Sequence, residues 1–207
     1  AAVIERFGAI DVLVNNAGIS HRSGFSETDL TVIRRVMDVN FYGAVHCTKA
    51  ALPQLIERRG LVIVISSVAG YAPLIARTGY AASKHALHGF FESLRTEVTP
   101  QGVRVMMVCP SFIATHIDRS ALGGDGQPVR HAQVTVGRPL TADTAAQQIV
   151  AGAERGRRLL LIGRTARIAW WVSRLAPALY EKFMARRLRG ELESSTTTAR
   201  PDPERKP

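Results

Sequence analysis

Short apolar runs alternate with longer segments of helical periodicity along this sequence, and no other feature limits the possible folds as much. The runs are rich in Val, Ile, Leu and Met and cover residues 12–14, 61–65, 103–108 and 159–162. Apolar residues spaced three and four apart predict helices between them, over about 27–57, 79–98 and 142–153. This alternation is typical of parallel strands joined by crossover helices.

Parallel strands that are apolar on both faces require helices on both faces of their sheet. The sequence therefore predicts an α/β fold, a three-layer, doubly wound parallel sheet of Rossmann-like type. Ligands of such sheets bind outside the carboxyl ends of the strands. Candidate site residues are therefore expected in the segments that follow the strands, which are residues 15–18, 66–70 and 109–112.

The composition fits one soluble domain. A chain of 207 residues with 46% apolar residues can bury one sizeable core, and no apolar stretch approaches the roughly 18 residues of a membrane-spanning helix. Cys47 and Cys109 lie in apolar runs without metal or redox spacing, so we expect two buried thiols and a cytoplasmic protein. The six histidines are scattered without other ligands at suitable spacing, so no metal site is predicted.

The net charge of +10 is unevenly distributed. Residues 154–189 contain ten basic and two acidic residues, and the remainder of the chain carries only +2. The basic segment has an apolar stripe and lacks a platform of aromatic residues on which bases could stack. We therefore predict no nucleic-acid partner.

Residues 164–190 are predicted to form a basic amphipathic helical extension, broken near Pro177, between a Rossmann-like region at 1–163 and a disordered tail at 191–207. Two interpretations of its apolar stripe are open. The stripe packs over a substrate cleft or against a second copy of the chain, or it contacts a membrane surface with its arginines near anionic headgroups. Membrane contact would favour a lipophilic substrate.

Tyr80 and Lys84 are four residues apart in a predicted helix and therefore lie on one face of it. A nearby ammonium group favours the phenolate and lowers a tyrosine pKa that starts near 10. Such a tyrosine can exchange protons near neutral pH. A random chain of this composition is expected to contain roughly 0.08 such Tyr–Lys pairs. The pair therefore indicates a function only together with its context.

That context is a serine at the end of the 61–65 strand. Ser67 precedes Tyr80 by thirteen residues, and the two hydroxyl groups can reach the same crevice at the carboxyl edge of the sheet. Ser66 competes for the same role, and a serine at a strand end is often only a turn former. The spacing to Tyr80 favours Ser67.

These residues belong to a set of motifs in a fixed order. Asn-Asn-Ala-Gly at 15–18, Asn40 within Asp-Val-Asn-Phe-Tyr-Gly, Ser67, Tyr-Ala-Ala-Ser-Lys at 80–84 and the segment 110–115 follow one another along residues 1–163. In order and spacing this set resembles the short-chain dehydrogenase/reductase family. The resemblance implies an oxidoreductase that interconverts a carbonyl compound and a secondary alcohol by hydride transfer, with NAD or NADP as cofactor.

The resemblance also implies a role for each residue. Tyr80 would be the general acid or base, and Ser67 would hydrogen-bond the substrate oxygen. Lys84 would lower the pKa of Tyr80 and bind the nicotinamide ribose. Asn40 would hold a water that links Lys84 to solvent, although it could instead be a satisfied amide at a helix bend.

A second group of residues is implied for cofactor binding. These residues are Asn15, Ala17, Gly18, Tyr80, Lys84, Pro110, Ile113 and Thr115. Ser111 stands where the family usually has glycine, and it fits if its φ angle is negative.

The family's first strand, glycine-rich turn and helix are not found before Ala1. We therefore expect an N-terminally truncated chain whose first strands are missing, with an open apolar edge at 12–14 and weak dinucleotide binding. The alternative is a catalytically inactive, family-like fragment or pseudo-enzyme that acts as an interaction module.

Overall fold

A computed structural model of the chain describes residues 2–115, 117, 120–129 and 134–192. Its main sheet contains four parallel strands in the order β1-β2-β3-β6. These strands are β1 (Val12–Asn15), β2 (Leu61–Ile65), β3 (Arg104–Pro110) and β6 (Leu159–Ile162). Two short strands, β4 (Ile113–Ala114) and β5 (Leu140–Thr141), pair in parallel beside it. The predicted parallel α/β sheet is confirmed.

The described residues form α-helices on both faces of the sheet and in the C-terminal extension. They are α1 (Ala2–Phe7), α2 (Leu30–Met37), α3 (Gly43–Glu57), α4 (Thr78–Val98), α5 (Ala142–Glu154), α6 (Arg164–Leu175) and α7 (Pro177–Arg187). A π-helical turn, Asp38–Tyr42, joins α2 to α3, so the predicted long helix is continuous apart from this turn. The helix begins at Leu30 and not at about residue 27 as predicted. Asp29 is its N-cap and accepts a hydrogen bond from Thr31 N.

Alternate residues of the central strands face two different cores, as a pleated strand requires. Val62 and Val64 pack with α3 and α4 on one face, and Leu61 and Ile63 pack with α5 on the other. The three-layer arrangement follows from this alternation. Among the described strands β1 lies at one edge, and its Val12 and Val14 side chains are about half exposed.

The helices α6 and α7 form a third apolar cluster against the segment that follows Ser67. Ala169, Tyr180, Met184 and Leu188 are buried there with Ala72. One face of the extension therefore packs against the body of the protein, and the interpretation that it covers a substrate cleft stays a prediction. No helix in the described ranges combines the length and the apolar content that crossing a membrane requires.

The predicted boundary of the disordered tail was wrong at its first residue. Glu191 is only 1% exposed, and its carboxylate lies 3.9 Å from Arg22 Nη1 and 3.7 Å from Arg77 Nη2. It also accepts a hydrogen bond from Val134 N. The polar composition of the tail gave no sign that Glu191 is buried. Two of its three partners, Arg22 and Arg77, lie more than a hundred positions away in the sequence. Residues 193–207 lie outside the described part of the chain.

Candidate active site

A cavity of about 860 Å³ lies at the carboxyl ends of β1, β2 and β3. Its wall includes Ser67, Tyr80 and Lys84, together with residues of α6 and α7. Most of the remaining lining is apolar, for example Ile113, Ile149 and Val172. This is the position that an open parallel sheet provides for a ligand.

Tyr80 and Lys84 lie near the start of α4, one helical turn apart. Lys84 Nζ is 5.6 Å from the centre of the Tyr80 ring and donates a hydrogen bond of 2.9 Å to Ile65 O, at the end of β2. Only 3% of Lys84 is exposed, and burial lowers the pKa of its ammonium group to about 8. A group with this pKa is still mostly protonated at pH 7.

Ser66 and Ser67 differ in what their hydroxyl groups do. The buried Ser66 donates to Lys84 O, and its Oγ lies against Gly70, so it links β2 to α4. Ser67 is half-buried, begins a short 3-10 turn and accepts a hydrogen bond from Ala69 N. Because Ser67 Oγ is the acceptor in this bond, its own O–H can donate to a substrate oxygen in the cavity.

Asn40 is 1% exposed in the π-helical turn, and its amide is occupied by protein contacts. Oδ1 accepts from Ile19 N at 2.8 Å, and Nδ2 donates to Ile19 O at 3.0 Å and to Ser83 Oγ at 2.9 Å. The side chain thereby holds the segment after β1 against α4. This is the satisfied amide at a helix bend that the sequence left open, and the water-holding role stays a prediction.

The structure brings six of the eight predicted cofactor-binding residues into the cavity wall. These are Gly18, Tyr80, Lys84, Pro110, Ile113 and Thr115. Asn15 instead turns toward α3, where its Nδ2 donates to Thr48 Oγ1, and neither Asn15 nor Ala17 is part of the wall. Ser111 does not adopt a positive φ angle, so the condition for serine at this position is met.

Several residues of the cavity wall were missed by the sequence analysis. Asn16 lines the cavity in place of its neighbour Asn15, and Arg77, one turn before Tyr80, lines it as a buried guanidinium. Tyr180, Phe183 and Met184 contribute from α7. Strand alternation could have distinguished the two asparagines. The amphipathic stripe of residues 164–190 allowed packing over a cleft, but it did not indicate which residues of α7 reach the cavity.

The histidines of the described residues belong to no metal-ligand cluster. His21 is fully buried, accepts a hydrogen bond from Gly79 N, and has its pKa lowered to about 4 by burial and by the nearby Arg77 charge. Within the described ranges, no three His, Cys, Asp or Glu side chains are grouped as a metal site would need. His116 and His131 lie outside those ranges. Cys109 is buried as predicted, but Cys47 is exposed on α3.

Comparison with known proteins gives a family match. The family model described as short chain dehydrogenase matches residues 1–124. The dehydrogenase/reductase SDR family member 7B of Xenopus tropicalis is 38% identical over 191 residues, which are 91% of this chain and 62% of that protein. The protein of the same name from Rattus norvegicus is 36% identical, over 95% of this chain and 61% of its own length. The chain thus spans about three fifths of the length of these relatives.

Solved structures share the fold. A short-chain dehydrogenase from Streptomyces avermitilis is 28% identical with a TM-score of 0.71, covering 91% of this chain and 74% of its own. A short chain dehydrogenase from Burkholderia cenocepacia, solved in complex with NADP, has a TM-score of 0.75 at 23% identity, with 88% and 72% covered. The second likeness concerns the fold alone.

Proposed function

Because the chain belongs to the short-chain dehydrogenase family, we propose that its protein is an oxidoreductase that interconverts a carbonyl compound and a secondary alcohol. Tyr80 is its general acid and base. The observation that carries the proposal is that Ser67, Tyr80 and Lys84, from two different elements, line one cavity at the carboxyl edge of the sheet. A scaffold protein would need none of these three side chains there.

The proton chemistry is assigned to the chain's own residues. In the reductive direction the Tyr80 hydroxyl donates its proton to the carbonyl oxygen, and in the oxidative direction the phenolate removes the proton from the alcohol. Lys84, protonated at neutral pH, stabilises the phenolate electrostatically from the same face of α4. The Ser67 hydroxyl donates a hydrogen bond to the same substrate oxygen and holds it beside Tyr80.

The residues present fit the nicotinamide end of NAD or NADP. Lys84 Nζ has three N–H donors, and only Ile65 O accepts from it among the described residues, so two donors can serve ribose hydroxyls. A side chain on Gly18 would approach Asn40 Oδ1 to 3.3 Å and Lys84 Nζ to 3.6 Å, so glycine keeps this part of the wall open. Bound there, the cofactor supplies or accepts the hydride. Pro110, Ile113 and Thr115 complete the proposed contact surface.

The cavity favours a lipophilic substrate. Beyond the Ser67–Tyr80–Lys84 group its wall is formed mainly by apolar side chains, which come from α5, α6 and α7 and from the ends of the strands and the segments that follow them. An apolar lining with a few convergent polar groups binds apolar molecules and orients them through the polar groups. We also propose a cytoplasmic location, supported by two cysteines that are both free thiols.

The test is carbonyl reduction by the protein with reduced dinucleotide as the hydride donor. Tyr80→Phe should lower kcat/KM by about 10²–10⁴, the usual contribution of a positioned acid, while titration should still detect dinucleotide binding. Tyr42→Phe, on an exposed tyrosine, is the matched control. If both variants keep the parent's turnover, or if the parent oxidises no reduced dinucleotide with any of a panel of ketones, the interaction-module alternative is preferred.

A further inference from the structure

The extension of α6 and α7 has a second apolar face that the protein does not cover. Five large apolar side chains on it are each more than half exposed: Ile168 60%, Trp171 62%, Leu175 78%, Leu179 62% and Phe183 54%. We call this set the apolar face. Within each helix its members recur at spacings of three or four residues and therefore form one stripe per helix. Contiguous exposed apolar surface of this kind marks an interaction site.

The apolar face is continuous with the active-site cavity. Three of its members, Ile168, Leu179 and Phe183, also line that cavity. Residues that line a cavity and remain more than half exposed lie at its opening. A partner that covers the apolar face therefore also covers the entrance to the cavity.

Basic residues are interspersed along the same two helices, and one of them, Arg174, stacks over the Trp170 ring at 3.2 Å. The span 164–187 contains six exposed basic side chains and one acidic side chain, Glu181. Arg164 lies one helical turn before Ile168, and Arg187 lies one turn after Phe183, so both ends of the stripe are bounded by a cation. The basic residues are Arg164, Arg167, Arg174, Lys182, Arg186 and Arg187.

We propose that the apolar face docks this protein on an anionic lipid surface, with the opening of the cavity turned toward the bilayer. Apolar side chains in the acyl boundary and arginines at the level of anionic headgroups are the two interactions that hold a helix in a membrane surface. A second copy of the chain fits less well, because a symmetric contact would bring the same six cations against one another. The role of the opening rests on the proposed function, since it makes the bilayer the source of a lipophilic carbonyl substrate.

The first experiment is co-sedimentation of the full chain with vesicles, without cofactor or substrate. The chain should partition into vesicles of equal parts phosphatidylglycerol and phosphatidylcholine, bind weakly to phosphatidylcholine alone, and be released by salt. The double variant Leu175→Ser/Leu179→Ser should lower the partition coefficient by about tenfold or more, because two apolar side chains no longer leave water. Val150→Ser, on an exposed apolar residue of α5, should change nothing.

The second experiment tests the direction of the opening. The variant Phe183→Trp is made in a chain that also carries Trp170→Phe and Trp171→Phe, so that it contains a single tryptophan. The fluorescence of this tryptophan should be quenched by brominated lipids in the anionic vesicles. The same replacement at Phe25, which is 64% exposed outside the extension, should give no quenching. Equal vesicle binding by the double variant and the parent, equal quenching at the two positions, or a dimer in solution that the double variant abolishes while vesicle binding is absent would each overturn the proposal. Vesicle binding by a Tyr80→Phe chain separates this result from any failure of the proposed enzyme activity.

Discussion

Asn40 and Ile19 are joined by a pair of hydrogen bonds across 21 residues of sequence. The Asn40 side chain accepts from the Ile19 N–H at 2.8 Å and donates to the Ile19 carbonyl at 3.0 Å. A side-chain amide thus substitutes for a strand neighbour and fixes the loop that follows β1. The third bond of this amide, to Ser83 Oγ, ties the same loop to the helix that carries Tyr80 and Lys84.

Asn40→Ala should lower the free energy of unfolding by about 2–4 kcal/mol, because it removes two hydrogen bonds from the partly buried Ile19 backbone and one from the buried Ser83 hydroxyl. The measurement is urea unfolding followed by circular dichroism. Asn16→Ala removes an exposed amide from the same region and should cost less than about 0.5 kcal/mol. Equal losses in the two variants would show that the Asn40 amide has no special structural role.

Lys84 makes stability depend on pH in a predictable direction. Burial lowers its pKa from 10.5 to about 8, so the native state disfavours the charged form. The resulting cost is fully present below pH 8 and disappears as the pH rises through 10.5, where the amine is neutral in both states. Between these values the free energy of unfolding of the parent should gain about 3 kcal/mol relative to Lys84→Met. Lys49→Met, on an exposed lysine of α3, is the control and should run parallel to the parent.

The sequence predicted the parts of the site that depend on local order. Tyr80 and Lys84 share a helix turn, and Ser67 follows a strand, so spacing alone brings them to one edge of a parallel sheet. The strand runs were recognisable because both faces of the sheet are covered. Their ends shifted by only a residue or two, because Asn15 and Pro110 still pair with neighbouring strands.

Contacts between distant segments could not be predicted in this way. Nothing in the Ser- and Thr-rich composition after residue 190 indicates that Glu191 is buried beside Arg22 and Arg77. Nor does the periodicity of residues 164–187 reveal which of its apolar side chains face the cavity and which face solvent. Each of these features is decided by tertiary packing rather than by propensity.

His21 should make the protein sensitive to mild acid. The pKa of its imidazole falls from 6.5 to about 4, because the ring is buried and lies near Arg77. The native state therefore favours the neutral form of the ring. The stability is complete above pH 6.5 and is lost progressively as the pH falls toward 4, since the unfolded state takes up the proton first. We expect a loss of up to about 3 kcal/mol over this interval, absent from His21→Gln. The exposed His46→Gln should retain the full acid dependence of the parent, as judged by unfolding curves at each pH.

Glu191 should anchor the C-terminal end of the extension to the body of the protein. Its side chain is fully buried, faces two guanidinium groups at 3.7 and 3.9 Å, and accepts from Val134 N at 2.6 Å. Glu191→Ala leaves the two arginines buried without this carboxylate, which should lower the free energy of unfolding by about 3–5 kcal/mol. Glu181→Ala, on an exposed acid of α7, should change the free energy of unfolding by less than about 0.5 kcal/mol.

Because α7 contributes Tyr180, Phe183 and Met184 to the cavity wall, Glu191→Ala should also raise KM for an apolar ketone more than it lowers kcat. Matching unfolding curves for the two variants would mean that Glu191 is only adjacent to the arginines and does not hold the extension in place.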